Sequence, residues 1–118
     1  MGYRSDVHIA MTKTRFRDMI AQAPNEDIRD YILSSIGEYN GNSYMIELCF
    51  EYVKWYPDYE EVTFIDKFLS ETEDGYAFCR IGEDSEDNEL HSDEGTYGDF
   101  NFSSVFWISR TICTELQE

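Results

Sequence analysis

The sequence contains little of what most enzymes use for catalysis or phosphate binding. Among its 118 residues only two are histidines, His8 and His91, and their spacing links neither of them to a serine or cysteine nucleophile. No GxGxxG or GxxxxGK[ST] segment occurs, so the common glycine-rich phosphate-binding loops are absent. The cysteines and histidines also lack the spacing of a zinc site. We therefore predict a protein that is not an enzyme and uses no cofactor or metal ion.

Long apolar segments and a paired cysteine pattern are also missing. No stretch has eighteen consecutive apolar residues, and the N-terminal segment contains no apolar signal-peptide core. The cysteines, Cys49, Cys79 and Cys113, are odd in number and lie far apart. We expect reduced, buried thiols in a cytoplasmic protein that does not act at a membrane.

Basic residues are scarce, since 9 lysines and arginines face 25 acids and the net charge is −16. The imbalance is local: residues 1–54 carry a net charge of −2 and residues 55–118 a net charge of −14. Such a chain is a poor partner for bare nucleic acid or for an anionic membrane surface. It attracts a protein with a basic surface instead, and salt weakens that attraction.

Enough apolar residues are present for one folded domain spanning residues 1–118. Hydrophobic residues make up 42% of the chain and aromatics 16%, which distinguishes it from disordered acidic chains. Alternating residues predict strands at 6–12 and 44–56, with shorter strands at 76–81 and about 102–113. Helical spacing predicts a first helix capped by Thr12 or Thr14, a second after Asn25 and a third after Asp58.

This order, β-α-α-β-α-β-β, predicts an α/β fold of the α+β type. We expect a two-layer sandwich in which a mainly antiparallel four-stranded sheet has its helices on one face.

The segment between residues 83 and 99 is the most acidic part of the chain and contains no lysine or arginine. One interpretation is a solvated hairpin loop that keeps the protein soluble. The other is a binding surface, because a loop this long is usually functional or disordered. Its acids are Glu83, Asp84, Glu86, Asp87, Glu89, Asp93, Glu94 and Asp99.

Calcium binding by this segment is a further alternative. Asp84, Glu86 and Asn88 alternate as in the start of an EF-hand loop. The match then fails, because Glu89 stands where the loop needs glycine and Gly95 where it needs a bidentate acid. Only a weak, irregular site is left open.

Two nearby groups extend the predicted partner-binding surface. Asp58, Glu60 and Glu61 lie at the start of the third predicted helix. Trp55 forms an outward patch with Glu47 and Glu51 if it faces solvent, and tryptophan often anchors interfaces. The alternative interpretation, which we favour, is that Trp55 packs in the core.

The strings GYRSDV, VKWYPDYEEVTFIDKFL and FCRIGEDSED resemble small, largely uncharacterised proteins of tailed bacteriophages and prophages. The resemblance covers about half of the chain and assigns no catalytic or binding residue. It implies a host-directed protein, because small acidic phage proteins without enzymatic motifs often inhibit host restriction or CRISPR systems by imitating DNA. An alternative is a structural or accessory phage protein that assembles through the outer sheet face.

Overall fold

Three helices pack on one face of a four-stranded antiparallel sheet in the computed structural model, which describes residues 2–36, 45–71, 76–84, 86–92, 96–97, 100–101, 106–109 and 111–114. The predicted α+β fold class is confirmed. The sheet consists of β1 (Ser5–Thr12), β2 (Met45–Val53), β3 (Tyr76–Gly82) and β4 (Asn88–Ser92). The helices are α1 (Lys13–Gln22), α2 (Glu26–Leu33) and α3 (Glu60–Glu71).

Side-chain caps fix where the first two helices begin. The Thr12 hydroxyl accepts a hydrogen bond from the Arg15 N–H at 3.2 Å, and the Asn25 side chain accepts one from the Ile28 N–H at 2.9 Å. Each bond satisfies a backbone donor that has no partner within the helix. The helix start predicted from Asn25 is therefore confirmed, and of the two candidates for the first cap, Thr12 and Thr14, it is Thr12 that caps α1.

Strand β1 lies inside the sheet, whose order is β2-β1-β3-β4. Two helices connect β1 to β2. The last residue of β1, Thr12, therefore lies opposite the first residue of β2, Met45, and the two strands run antiparallel. Along β1, Val7, Ile9 and Met11 are fully buried on the face that the helices cover. Burial of each such side chain stabilises the fold by about 1.5–3 kcal/mol.

All three helices contribute to the same hydrophobic core. Their buried side chains pack with those of the sheet in one cluster, which explains why three short helices hold their positions. The helical members are Met19, Ile28, Ile32, Ile65, Phe68 and Leu69, and the sheet contributes Val7, Ile9, Met11, Leu48, Phe50 and Phe78.

The C-terminal part of the chain differs from the prediction of one strand over residues 102–113. Two short antiparallel strands, β7 (Phe106–Ser109) and β8 (Thr111–Thr114), occupy this region, and another pair, β5 (Thr96–Tyr97) and β6 (Phe100–Asn101), precedes them. The fourth strand of the main sheet is instead β4, from the acidic segment. Both β7 and β8 approach β3, and Ala77 and Cys79 of β3 are buried.

Candidate functional site

The acidic segment that was predicted as a long loop begins as a tight β-hairpin between β3 and β4. The Gly82 N–H donates to the Asp87 carbonyl at 2.8 Å, and the Asp87 N–H donates to the Asp84 carbonyl at 2.9 Å. The Asp84 carboxylate also accepts from the Glu86 N–H at 3.0 Å. The acids before β4 thus lie in a hairpin turn, whereas the loop prediction is wrong for Asn88–Ser92, which pair with β3 as β4.

Arg80 neutralises part of the hairpin's negative charge. Its guanidinium binds Asp87 through two nitrogens, at 2.6 and 3.1 Å, and also binds Glu89 at 2.9 and 3.2 Å. Two-point binding of this kind is among the stronger polar interactions in proteins. Hydrogen bonds from Arg80, and then from Tyr3, hold the pKa of the Asp87 carboxyl below its usual range.

Tyr3 and Arg4, which we call the N-terminal clasp, bind the same hairpin from the start of the chain. The Tyr3 hydroxyl donates to the Asp87 carboxylate at 2.6 Å, and the Arg4 N–H donates to the Glu83 carboxylate at 3.0 Å. A side chain at Gly82 would collide with the Tyr3 hydroxyl, so this close approach requires glycine there. Glu83 and Asp87 thus bind groups within the molecule.

The clasp also binds the end of β2. The Arg4 guanidinium donates to the Tyr52 carbonyl at 3.0 Å and lies 4.9 Å from the centre of the Tyr52 ring. Tyr52 has a φ of 53°, a left-handed conformation that is costly for a side chain of this size. The Asp6 carboxylate accepts from its N–H at 2.8 Å and helps to hold that conformation. Strand β2 accordingly ends at Val53, three residues earlier than predicted.

A second acidic group lies where α2 and α3 begin. The Asn25 side-chain amide donates to the Glu60 carboxylate at 3.1 Å and so joins the two helix starts. The ion pairs formed among the described residues involve His8, Arg15, Arg80 and His91, and none of them includes an acid of these first turns. We call this group the helix-start patch, and its members are Glu26, Asp27, Asp58, Glu60 and Glu61.

A groove of about 310 Å³ separates α3 from β3 and β4. Leu69 and Phe78 give it an apolar floor, while Asp66 and Glu89 contribute carboxylates and His91 lies 3.6 Å from Glu89. Burial, and then repulsion from Glu89, raises the pKa of Asp66. The groove therefore extends the negative surface from α3 to the hairpin.

The remaining predicted site residues fall into two groups. Trp55 is half-buried and packs beside Phe50 and Phe78, with ring centres 5.3 and 6.4 Å away, so it belongs to the core as the favoured interpretation held. It does not join Glu47 and Glu51 in an outward patch. Asp93, Glu94 and Asp99 lie outside the described residues.

The outer face of the sheet carries a polar cluster that the sequence pattern did not predict. His8 of β1 lies opposite Cys49 of β2, and its Nδ1 atom is 3.3 Å from a Glu47 carboxylate oxygen and 3.9 Å from the Cys49 sulfur. Its Nε2 atom is 3.8 Å from the Glu51 carboxylate. Burial lowers the pKa of His8, but hydrogen bonding to Cys49 and Glu47 raises it more, to about 10.

One signal in the sequence could have indicated half of this cluster. Glu47, Cys49 and Glu51 alternate along β2 and therefore share a face. The opposing position of His8 depends on the register between β1 and β2, which 32 intervening residues separate in the chain. Periodicity within one strand does not determine that register.

Comparison of the chain with protein-family models, with curated proteins and with solved structures finds no match. Within the part of the chain that the structure describes, no helix is both long and apolar enough to cross a bilayer.

Proposed function

We propose that the protein acts by binding, without catalysis, to a basic nucleic-acid-binding surface of another protein. The observation that carries this proposal is the bond between Asn25 and Glu60, because it brings the acids of two helix starts onto one surface. Isolated carboxylates scattered over the molecule would give no such local field. The resemblance to phage proteins supports a bacterial host protein, such as a restriction or CRISPR component, as the target.

Local electrostatics explains why the helix-start patch tolerates so many acids. Glu26 and Asp27 occupy the first turn of α2, and Glu60 and Glu61 the first turn of α3. The positive end of each helix dipole stabilises a nearby carboxylate by about 0.3–1 kcal/mol. The fold thus holds a concentrated negative surface at a small net cost, and such surfaces accelerate association with a basic partner.

The hairpin acids contribute less to this surface than the sequence suggested. Asp87 and Glu89 share the positive charge of Arg80, and Glu83 accepts from the clasp. Asp84 and Glu86 are exposed at the hairpin and lie outside the helix-start patch as defined here. Calcium binding by this segment is the weaker alternative, since Arg80 binds Asp87 and Glu89 and the Asp84 carboxylate accepts from the Glu86 N–H within the hairpin.

The test compares two variants that remove four negative charges each. The patch variant neutralises acids of the helix-start patch and keeps Glu60, which bonds to Asn25: Glu26→Gln, Asp27→Asn, Asp58→Asn and Glu61→Gln. The control variant neutralises exposed acids elsewhere: Asp18→Asn, Glu71→Gln, Asp84→Asn and Glu86→Gln.

Immobilised protein is used to capture binding partners from a bacterial lysate at low salt. We expect the wild type and the control variant to retain a protein that duplex DNA or high salt elutes, because both compete for the same basic surface. The patch variant should lose most of it. Equal retention by both variants would refute the helix-start patch as the binding surface.

A further inference from the structure

The outer-face cluster brings three different ligand atoms together on a rigid part of the fold. His8 is on the interior strand β1, and Glu47 and Cys49 are on the neighbouring strand β2. The His8 and Glu47 side chains are only 13% and 10% exposed, and Cys49 is half-buried. Backbone pairing therefore fixes the positions from which these side chains project.

The two distances from His8 Nδ1 to the other ligand atoms are close to those around a single bound metal ion. Nitrogen and oxygen ligands of a tetrahedral zinc ion, each about 2.1 Å from the metal, lie about 3.4 Å apart, and nitrogen and sulfur ligands about 3.6 Å apart. The corresponding distances here are 3.3 Å from His8 Nδ1 to Glu47 and 3.9 Å from His8 Nδ1 to Cys49. All three ligand atoms lie within 4.8 Å of one another.

The direction of the contacts distinguishes a metal site from a catalytic triad. In a cysteine–histidine–acid triad, the thiol and the acid bind opposite nitrogens of the ring. Here the Cys49 sulfur and the Glu47 carboxylate both approach Nδ1, so the three groups converge on one point. The far nitrogen, Nε2, faces Glu51, which is the position of the outer carboxylate that commonly orients a metal-bound histidine.

The chemical identity of the ligands determines the class of metal. Calcium and magnesium take oxygen ligands, whereas a mixed set of nitrogen, oxygen and thiolate sulfur suits zinc and related transition metals. We propose that His8 Nδ1, the Glu47 carboxylate and the Cys49 thiolate bind one divalent transition-metal ion of the zinc class. Binding releases the proton of the Cys49 thiol and the proton on His8 Nδ1 to solvent. The three protein ligands leave a fourth position for water or an external ligand.

The test uses the full chain after treatment with a chelator, with cobalt as a spectroscopic probe for zinc. We expect one Co²⁺ per chain and a near-ultraviolet thiolate-to-cobalt absorption band that zinc abolishes. Cys49→Ser should abolish the band and weaken zinc binding by more than about a hundredfold, beyond the loss typical of an outer-shell partner. Cys79→Ala is the matched control, because it removes a buried thiol from β3, the strand on the other side of β1 from Cys49. This variant should keep the band.

Thermal unfolding of the wild type gives a second measurement that depends on no variant. Zinc at about a hundredfold above its Kd should raise Tm by about 10 °C. Calcium and magnesium should leave Tm unchanged. A wild type that binds neither cobalt nor zinc would overturn the proposal, as would a cobalt band lost in Cys79→Ala but kept in Cys49→Ser. An equal rise in Tm with calcium would exclude a site of this ligand class.

Discussion

Acidic residues have different roles at the β3–β4 hairpin and at the helix starts. At the hairpin, Arg80 and the N-terminal clasp bind Glu83, Asp87 and Glu89, so these carboxylates stabilise the fold. At the helix starts, the acids lie in first turns and form none of the ion pairs among described residues. The position of a few cations, rather than the number of acids, therefore decides which negative charges are available to a partner.

Among the substitutions that test this difference, replacing Arg80 should have the largest effect on stability. Arg80→Met keeps much of the apolar stem but leaves Asp87 and Glu89 without their cation. The Arg80 side chain is only 13% exposed while its partners are more accessible, so we expect a loss of about 2 kcal/mol in the free energy of unfolding. Urea unfolding measures it. Lys67→Met, at an exposed cation of α3, should change stability by less than about 0.5 kcal/mol, and an equally small effect at Arg80 would contradict the assigned role.

Neutralising the helix-start patch should affect association more than stability. With an isolated partner, the patch variant should show an association rate about tenfold lower at low salt, and the difference should shrink as salt is added. The control variant with its four substitutions elsewhere should stay within about twofold of the wild type. Surface-immobilised kinetics measure both rates. If the two variants lose rate equally, net charge rather than the patch determines association.

Removing the Tyr3 hydroxyl should weaken the clasp without disturbing the core. Tyr3→Phe deletes a 2.6 Å bond to the Asp87 carboxylate at a solvent-accessible site, and we expect a loss of about 1 kcal/mol. Chemical unfolding provides the measurement. Tyr59→Phe removes the hydroxyl of a half-buried tyrosine elsewhere in the fold and should have a smaller effect. If both variants lose the same amount, the bond to Asp87 contributes nothing specific.

Asp87 of the hairpin and Asp66 of the groove should change stability with pH in opposite directions. The pKa of Asp87 is lowered, so its contribution is present above its unfolded pKa and disappears as the pH falls through the folded value. The pKa of Asp66 is raised, so the folded state holds its proton more tightly, and stability falls as the pH rises from the unfolded toward the folded value.

Urea unfolding of two variants between pH 3 and pH 7 separates these contributions. Asp87→Asn should flatten the loss of stability on the acid side, whereas Asp66→Asn should raise stability near neutrality by at most about 0.5 kcal/mol. The two difference curves should therefore have opposite slopes. Slopes of the same sign would show that one of the two environments is wrongly assigned.

Local signals in the sequence predicted the helical half of the fold well. Asn25 caps α2 as predicted, and Thr12, one of the two predicted candidates, caps α1. Strand β4 was not predicted, because it contains a single apolar residue, Leu90. As an edge strand of the sheet, β4 needs fewer apolar side chains than an interior strand. Its pairing depends on cross-strand partners such as Arg80 and Glu89, which sequence periodicity does not reveal.

The C-terminal strands and the long-range contacts of the candidate sites were also not predictable from local sequence signals. A single arginine separates β7 from β8 in the chain, and without glycine, asparagine or proline nothing in the sequence divides the predicted strand. The meeting of His8 with Cys49, and of Tyr3 with Asp87, joins residues 41 and 84 positions apart. Contacts at such separations follow from tertiary topology, which the order of elements alone leaves open.

The pairing of β1 with β2 links the interior and the outer face of this protein. The alignment that sets Ile9 beside Leu48 under the helices also sets His8 beside Cys49 on the reverse side. A slip of one residue would turn every side chain of β2 to the opposite face. Natural variants of the chain therefore cannot move that cluster along the strands without dismantling the hydrophobic interior.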